Sequence, residues 1–173
     1  MHAALLPFPG SAVAISPPLA GRNGHTHVAA GLVSGPLAVY DLESFEQVNW
    51  VIHCREEIGE LKYAPNGRML AVGSHDNYVD LLDTAHDYRK VRRLAGHSSY
   101  ITHIDWSADS RVLQSTCGGY EILYWNVATG KQFRSTHDSV ESDTIWADWT
   151  TSLGFPVIGP TSSSSSSSSV LLR

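Results

Sequence analysis

Cysteine is nearly absent, with only Cys54 and Cys117 among 173 residues. Two cysteines in no metal-ligand spacing exclude a disulfide-stapled secreted scaffold and a thiolate zinc framework. Both read as free thiols, and Cys117, with no basic neighbour in sequence, reads as a small buried residue. Cations are also scarce: 12 Lys and Arg stand against 17 Asp and Glu, a net charge of −5. That balance lacks the basic footprint of a nucleic-acid binder. No stretch approaches the ~18 consecutive apolar residues of a membrane span. The N-terminal MHAALLPFPGSAVAISPPLAG has no basic start and is broken by Pro7, Pro9, Pro17 and Pro18, which argues against a signal peptide or anchor. With 42% hydrophobic residues the chain can build a core of about one domain. The expectation is a cytoplasmic protein with neither nucleic acid nor membrane as partner.

Catalytic chemistry is missing as well. Nine histidines scatter through predicted turns and strand ends with no nucleophile paired to them. His25-Thr26-His27 has strand-compatible metal spacing, but a third ligand does not follow, and zinc needs three or four; a polar loop is predicted there. The glycine-rich GRNGH at 21–25 lacks the Lys-Ser/Thr of a phosphate loop. No enzyme activity, cofactor or metal is expected.

What the sequence does contain is an internal repeat. Residues 58–83, IGELKYAPNGRMLAVGSHDNYVDLLD, align without a gap over 101–126, ITHIDWSADSRVLQSTCGGYEILYWN, at an offset of 43. A weaker copy, VAAGLVSGPLAVYD at 28–41, lies over 70–83 at an offset of 42. Each unit carries short runs of Val, Ile, Leu and aromatics separated by turn signals such as Pro65-Asn66-Gly67 and Ala128-Thr129-Gly130, which read as antiparallel strands. A period of 40 to 45 residues with four strands, opened by Gly-His and closed by Trp-Asn, is the WD40 blade pattern.

The predicted fold is all-β, a partial WD40 β-propeller over 11–159. It comprises a partial blade at 11–50, blades at 51–94 and 95–137, and a stub at 138–159. Strands are predicted near 58–64, 69–74, 78–83, 90–94, 101–107, 112–117, 121–127 and 131–135. The final 160–173, with eight consecutive serines, reads as a disordered tail. Three blades and a stub cannot close a ring of about four to eight, so other blades are expected partners.

Particular segments narrow the family. CREEIGELKYAPNGRMLAVGSHDNYVDLLD, GHSSYITHIDWSADS, EILYWN and LGFPVIG together closely resemble the echinoderm microtubule-associated protein-like (EMAP-like) family, over roughly 11–159, as a piece of its later propeller. The resemblance implies a non-enzymatic, microtubule-associated scaffold whose propellers contact tubulin, placed at the cytoskeleton of the cytoplasm, cilium or flagellum. The alternative is a general WD40 adaptor that binds another protein without tubulin. The coiled coil through which the family trimerises has no counterpart in these residues.

In WD40 blades a loop His, a strand Ser/Thr, a turn Asp and a strand Trp form a buried hydrogen-bonded set. Here the positions hold His97, Ser115, Gly119 and Trp125, so the acid is missing and His97 is expected to need a water or a carbonyl. In the preceding unit they hold Cys54, Val72, Asp76 and Leu82, a network replaced wholesale by apolar packing. Candidate protein-binding residues are His75, Asp76, Asn77 and Tyr100, on turns that WD40 geometry gathers on one face. The basic run of Arg89, Lys90, Arg92 and Arg93 joins them, either meeting an acidic partner or keeping a sheet edge from pairing.

Overall fold

The computed structural model describes residues 9–18, 24–133, 144–148, 150 and 151. Each apolar run becomes a strand of five to seven residues, because alternation with a period of two puts one side of every run into a core. The first sheet holds β1 (Gly10–Ile15), β2 (His27–Leu32), β3 (Pro36–Asp41) and β4 (Gln47–Ile52) in that order. The second holds β5 (Ile58–Tyr63), β6 (Met69–Ser74), β7 (Tyr78–Asp83) and β8 (Arg89–Ala95). The third holds β9 (Ile101–Trp106), β10 (Val112–Cys117) and β11 (Ile122–Asn126). All neighbours are antiparallel. The innermost strands β1, β5 and β9 meet in turn, so the sheets stand as consecutive blades of an open propeller.

One expectation changes. The first unit, predicted as partial, has a full set of four strands; its first strand is GSAVAI, separated from β2 by a longer connection than in the other blades. Of the fourth strand predicted at 131–135, residues 131–133 run along β11, with a bridge between Trp125 and Gln132 and the Phe133 N–H donated to the Tyr124 carbonyl, and 134 and 135 lie outside the described residues. The predicted serine tail and most of the stub lie outside the described residues. The part of the stub that is described is tied to the third blade: Ser107 bridges Trp146, and Thr151 N–H donates to the buried Asp105 carboxylate at 2.8 Å.

The repeat extends into the backbone. Registers shift at equivalent places in the first strands, between Gly10 and Ala12, between Ile58 and Glu60, and opposite Thr116 and Cys117. These bulges bend each inner strand at the same level. The tight turns repeat too, with Gly35, Asn77 and Tyr120 all at positive φ of 98°, 68° and 60°.

Blade-to-blade packing rests on a close approach. A Cβ on Gly31 would stand 2.5 Å from Ile58 Cγ2, and one on Gly73 would stand 2.7 Å from Ile101 Cγ2. The two pairs are related by the repeat. Around them lie two cores, one of Ala29, Val39, Ile58, Leu61, Tyr63 and Leu70 between the first and second blades. The other sets Ala71, Leu81 and Leu94 against Ile104, Trp106 and Trp125 between the second and third. By register, Val13 and Ile15 occupy the places of Leu61 and Tyr63, yet they are 69% and 61% exposed. The first blade thus presents an open half of the same contact.

Substituting Gly73→Ala should destabilise the chain by about 1–3 kcal/mol through overpacking. Combining it with Ile101→Ala should cost less than the sum of the single changes by at least about 0.5 kcal/mol. Urea unfolding of the four proteins of the cycle checks both numbers.

Candidate protein-interaction face

The turns entering β5 and β9 and those joining β6 to β7 and β10 to β11 fall on one face, as their positions in the blade dictate. There His75 and Tyr100, 25 residues apart in sequence, come together with ring centroids 4.9 Å apart. Asp76 turns its carboxylate onto the Arg55 N–H at 2.8 Å, which ties the β6–β7 turn to the segment leading into β5. Asn77 supplies the left-handed residue of that turn, a conformation Asn tolerates. Tyr120 occupies the same turn position one blade on and is 86% exposed. A bulky residue there is strained, and Tyr120 lines one surface hollow together with Tyr100 and Gly118. His75, Asp76, Asn77, Tyr100 and Tyr120 therefore make one aromatic and polar surface.

The basic run lies on β8, the outer strand of its blade, and is not one surface. Arg93 donates from Nε and from Nη2 to the two oxygens of Asp80, each at 2.8 Å, and Lys90 Nζ donates to the same carboxylate at 3.2 Å. Asp80 is 1% exposed. Arg93 also stacks over the Tyr78 ring at 4.6 Å. Arg92 reaches the next blade, donating to the carbonyls of Val127 and Ala128. Among the described residues Arg89 makes no ion pair, and it is exposed.

Asp80 corrects the expectation that the second blade had lost its polar network wholesale. The Cys54 and Leu82 positions are apolar in character, with burial pushing the Cys54 thiol up to about 11. A different buried acid has taken over, held by cations of the neighbouring strand. The signal was an aspartate at an inward position of an otherwise apolar run, YVDLLD.

The third blade keeps three members of its polar set. His97 Nε2 lies 2.7 Å from Ser115 Oγ, which accepts the Trp125 indole N–H at 2.8 Å. All three side chains are buried. No acid stands at Gly119, and the nearest carboxylate, that of Glu121 two residues later, has its Oε2 3.7 Å from His97 Nδ1, beyond hydrogen-bond reach. That oxygen accepts the Ser98 N–H at 2.9 Å and the Cys117 thiol at 3.3 Å. Burial lowers the His97 pKa and Glu121 opposes it, leaving the ring neutral. His25 and His27 are likewise occupied: His25 Nδ1 pairs with Asp41 at 2.7 Å, and His27, buried in β2 rather than lying in a loop, meets the Tyr88 hydroxyl at 2.7 Å.

With this geometry in view, the sequence comparisons decide the family. The family model described as "Echinoderm microtubule-associated protein second beta-propeller" matches residues 6–171. The chain belongs to that family. It is 44% identical over 135 residues to the 77 kDa echinoderm microtubule-associated protein of Lytechinus variegatus, covering 76% of this chain and 20% of that protein. It is 44% identical over 136 residues to echinoderm microtubule-associated protein-like 3 of Homo sapiens, covering 76% of this chain and 15% of the relative. Echinoderm microtubule-associated protein-like 1 of Mus musculus is 40% identical over 135 residues, with shares of 76% and 16%. The EMAP-like chain thus spans a fifth or less of the length of these relatives.

Two measurements test the electrostatics of this propeller segment. Arg93→Gln should lower stability by about 2 kcal/mol, because it leaves the buried Asp80 with one cation, whereas Arg89→Gln should change it by less than about 0.5 kcal/mol. On β5, burial raises the Glu60 carboxyl to about 7, above its value in the unfolded chain. Its charged form is therefore the penalised one, and stability should fall as pH rises from the unfolded value through 7. Glu60→Gln should remove that fall, stabilising the chain by about 2–3 kcal/mol at pH 8 and hardly at all at pH 4; denaturant melts at the two pH values check it.

Proposed function

We propose that this chain is a non-enzymatic EMAP-like propeller segment that binds microtubules, contacting tubulin through the face carrying His75, Asp76, Asn77 and Tyr100. The observation that carries the reading is the family match across 6–171 together with relatives named as microtubule-associated proteins. Supporting it, the face is built from exposed aromatic and polar groups on rigid strand ends, the composition that serves protein contacts. Of the basic run, Arg89 is the residue whose charge is available to acidic tubulin, since Lys90, Arg92 and Arg93 are engaged within the fold. A place at the cytoskeleton in the cytoplasm, a cilium or a flagellum follows from this reading. No helix of the described residues is long and apolar enough to cross a membrane.

The same commitment of cations favours a second reading, an adaptor for another protein without tubulin contact, because a chain of net charge −5 has little positive field to draw it to an acidic lattice. Co-sedimentation with polymerised tubulin separates the two. The full chain should pellet with microtubules, and His75→Ala combined with Tyr100→Ala should weaken binding roughly ten-fold, the scale of a small aromatic hot spot. Arg89→Gln should flatten the salt dependence. A chain that stays in the supernatant at every salt concentration returns the adaptor reading.

A further inference from the structure

The His97, Cys117 and Glu121 side chains converge at the start of β9 and around the β10–β11 turn. The Nδ1, Sγ and carboxylate oxygen all lie within 4.8 Å of one another. The sulfur-to-oxygen distance is 3.3 Å and the nitrogen-to-oxygen distance 3.7 Å. A tetrahedral zinc with bonds of about 2.0–2.3 Å holds its ligands roughly 3.3–3.8 Å apart, so the two oxygen edges already fall within that span and the sulfur-to-nitrogen edge, inside 4.8 Å, is the one that shortens.

His97 supplies the independent pointer. Its side chain is wholly buried, and Nδ1 has no hydrogen-bond partner among the described residues. A buried ring nitrogen without a partner is costly. Glu121 does not relieve it, because 3.7 Å exceeds a hydrogen bond and the carboxylate is turned to the Ser98 N–H and the Cys117 thiol.

We propose that His97 Nδ1, Cys117 Sγ and Glu121 bind a divalent cation of the zinc class. The mixed nitrogen, sulfur and oxygen donors suit a borderline-soft ion. Orientation is already provided at each ligand. Ser115 faces Nε2, and because Trp125 can only donate, the Ser115 oxygen has a second lone pair for an Nε2–H, which leaves Nδ1 unprotonated toward the metal. Ser98 N–H steadies the carboxylate. Gly119 keeps space beside the sulfur, since a Cβ there would lie 3.5 Å from Cys117 Sγ and 3.0 Å from Ser98 Oγ. Entry is from the Glu121 side, which is 39% exposed, and a water completes the fourth position. On binding, the thiol surrenders its proton to solvent and becomes the thiolate ligand. The cation then clamps the segment leading into β9 to the β10–β11 turn, beside Tyr100 and Tyr120.

Cobalt(II) titration of the chelator-stripped full chain is the test. One equivalent should bind with a thiolate-to-cobalt charge-transfer band and the visible bands of a tetrahedral ion, and zinc should displace it. Cys117→Ser should abolish the charge-transfer band, Cys54→Ser should keep it, and Glu121→Gln should weaken binding roughly ten-fold or more. A band absent from the wild-type chain, or one that survives Cys117→Ser, overturns the proposal. X-ray absorption at the zinc edge of the unaltered chain gives an answer that no variant's folding can confuse. One sulfur at about 2.3 Å with three lighter atoms supports the site, and a shell without sulfur ends it.

Discussion

The close approach of Ile58 to Gly31, repeated by Ile101 to Gly73, is the constraint on which the arrangement of this molecule depends. Only a residue without a side chain lets the methyl group of a β-branched neighbour reach the backbone of the preceding blade. Once that contact is made, the inner strands are fixed at one separation and one level. Their bulges then coincide, their outer strands fan apart, and the turns joining the middle strands arrive on a common face. The candidate interaction surface is in this sense a result of packing at the adjoining strand ends. The aromatic neighbours His75 and Tyr100 belong to different blades and meet because Ile101 is seated on Gly73.

Much of this could be read in the residues because the fold repeats. An offset of 43 placed nearly every strand of the second and third blades, and the positions of Asn77 and Tyr100 on one face followed from it. The first blade was underestimated because β1, though six residues long, is small in its side chains and separated from β2 by a glycine-rich stretch, so its alternation is faint. The fourth strand of the third blade was read from the Ala128-Thr129-Gly130 turn, whose geometry is present: Gly130 takes the positive φ of 71°. After that turn Lys131, Gln132 and Phe133 pair with β11.

Side-chain partnerships were less legible than strands. Glu121 brings a carboxylate within 3.7 Å of His97 Nδ1 from two residues past the turn position of the aspartate, and nothing in Gly119 itself announces it. Asp80 and Arg93 face each other across β7 and β8, and nothing in either residue alone says that the charge run will turn inward. A run of like charges usually reads as a solvated face. Here one buried carboxylate is enough to divide it, because desolvated charge demands partners before solvent-exposed charge has any preference.

The open side of the first blade has a consequence for cooperativity. If blades interact only with their neighbours, stability is a sum of blades and joints, as in other quasi-one-dimensional repeats. A row of n blades has n − 1 joints and a ring has n, so closure adds a joint without adding chain. It also changes what release of a blade requires: an end blade of a row is held by one joint, a blade in a ring by two. Val13 and Ile15, at 69% and 61% exposure, are half of a joint that a further blade would complete, and a blade packed there would give the first blade its second tether.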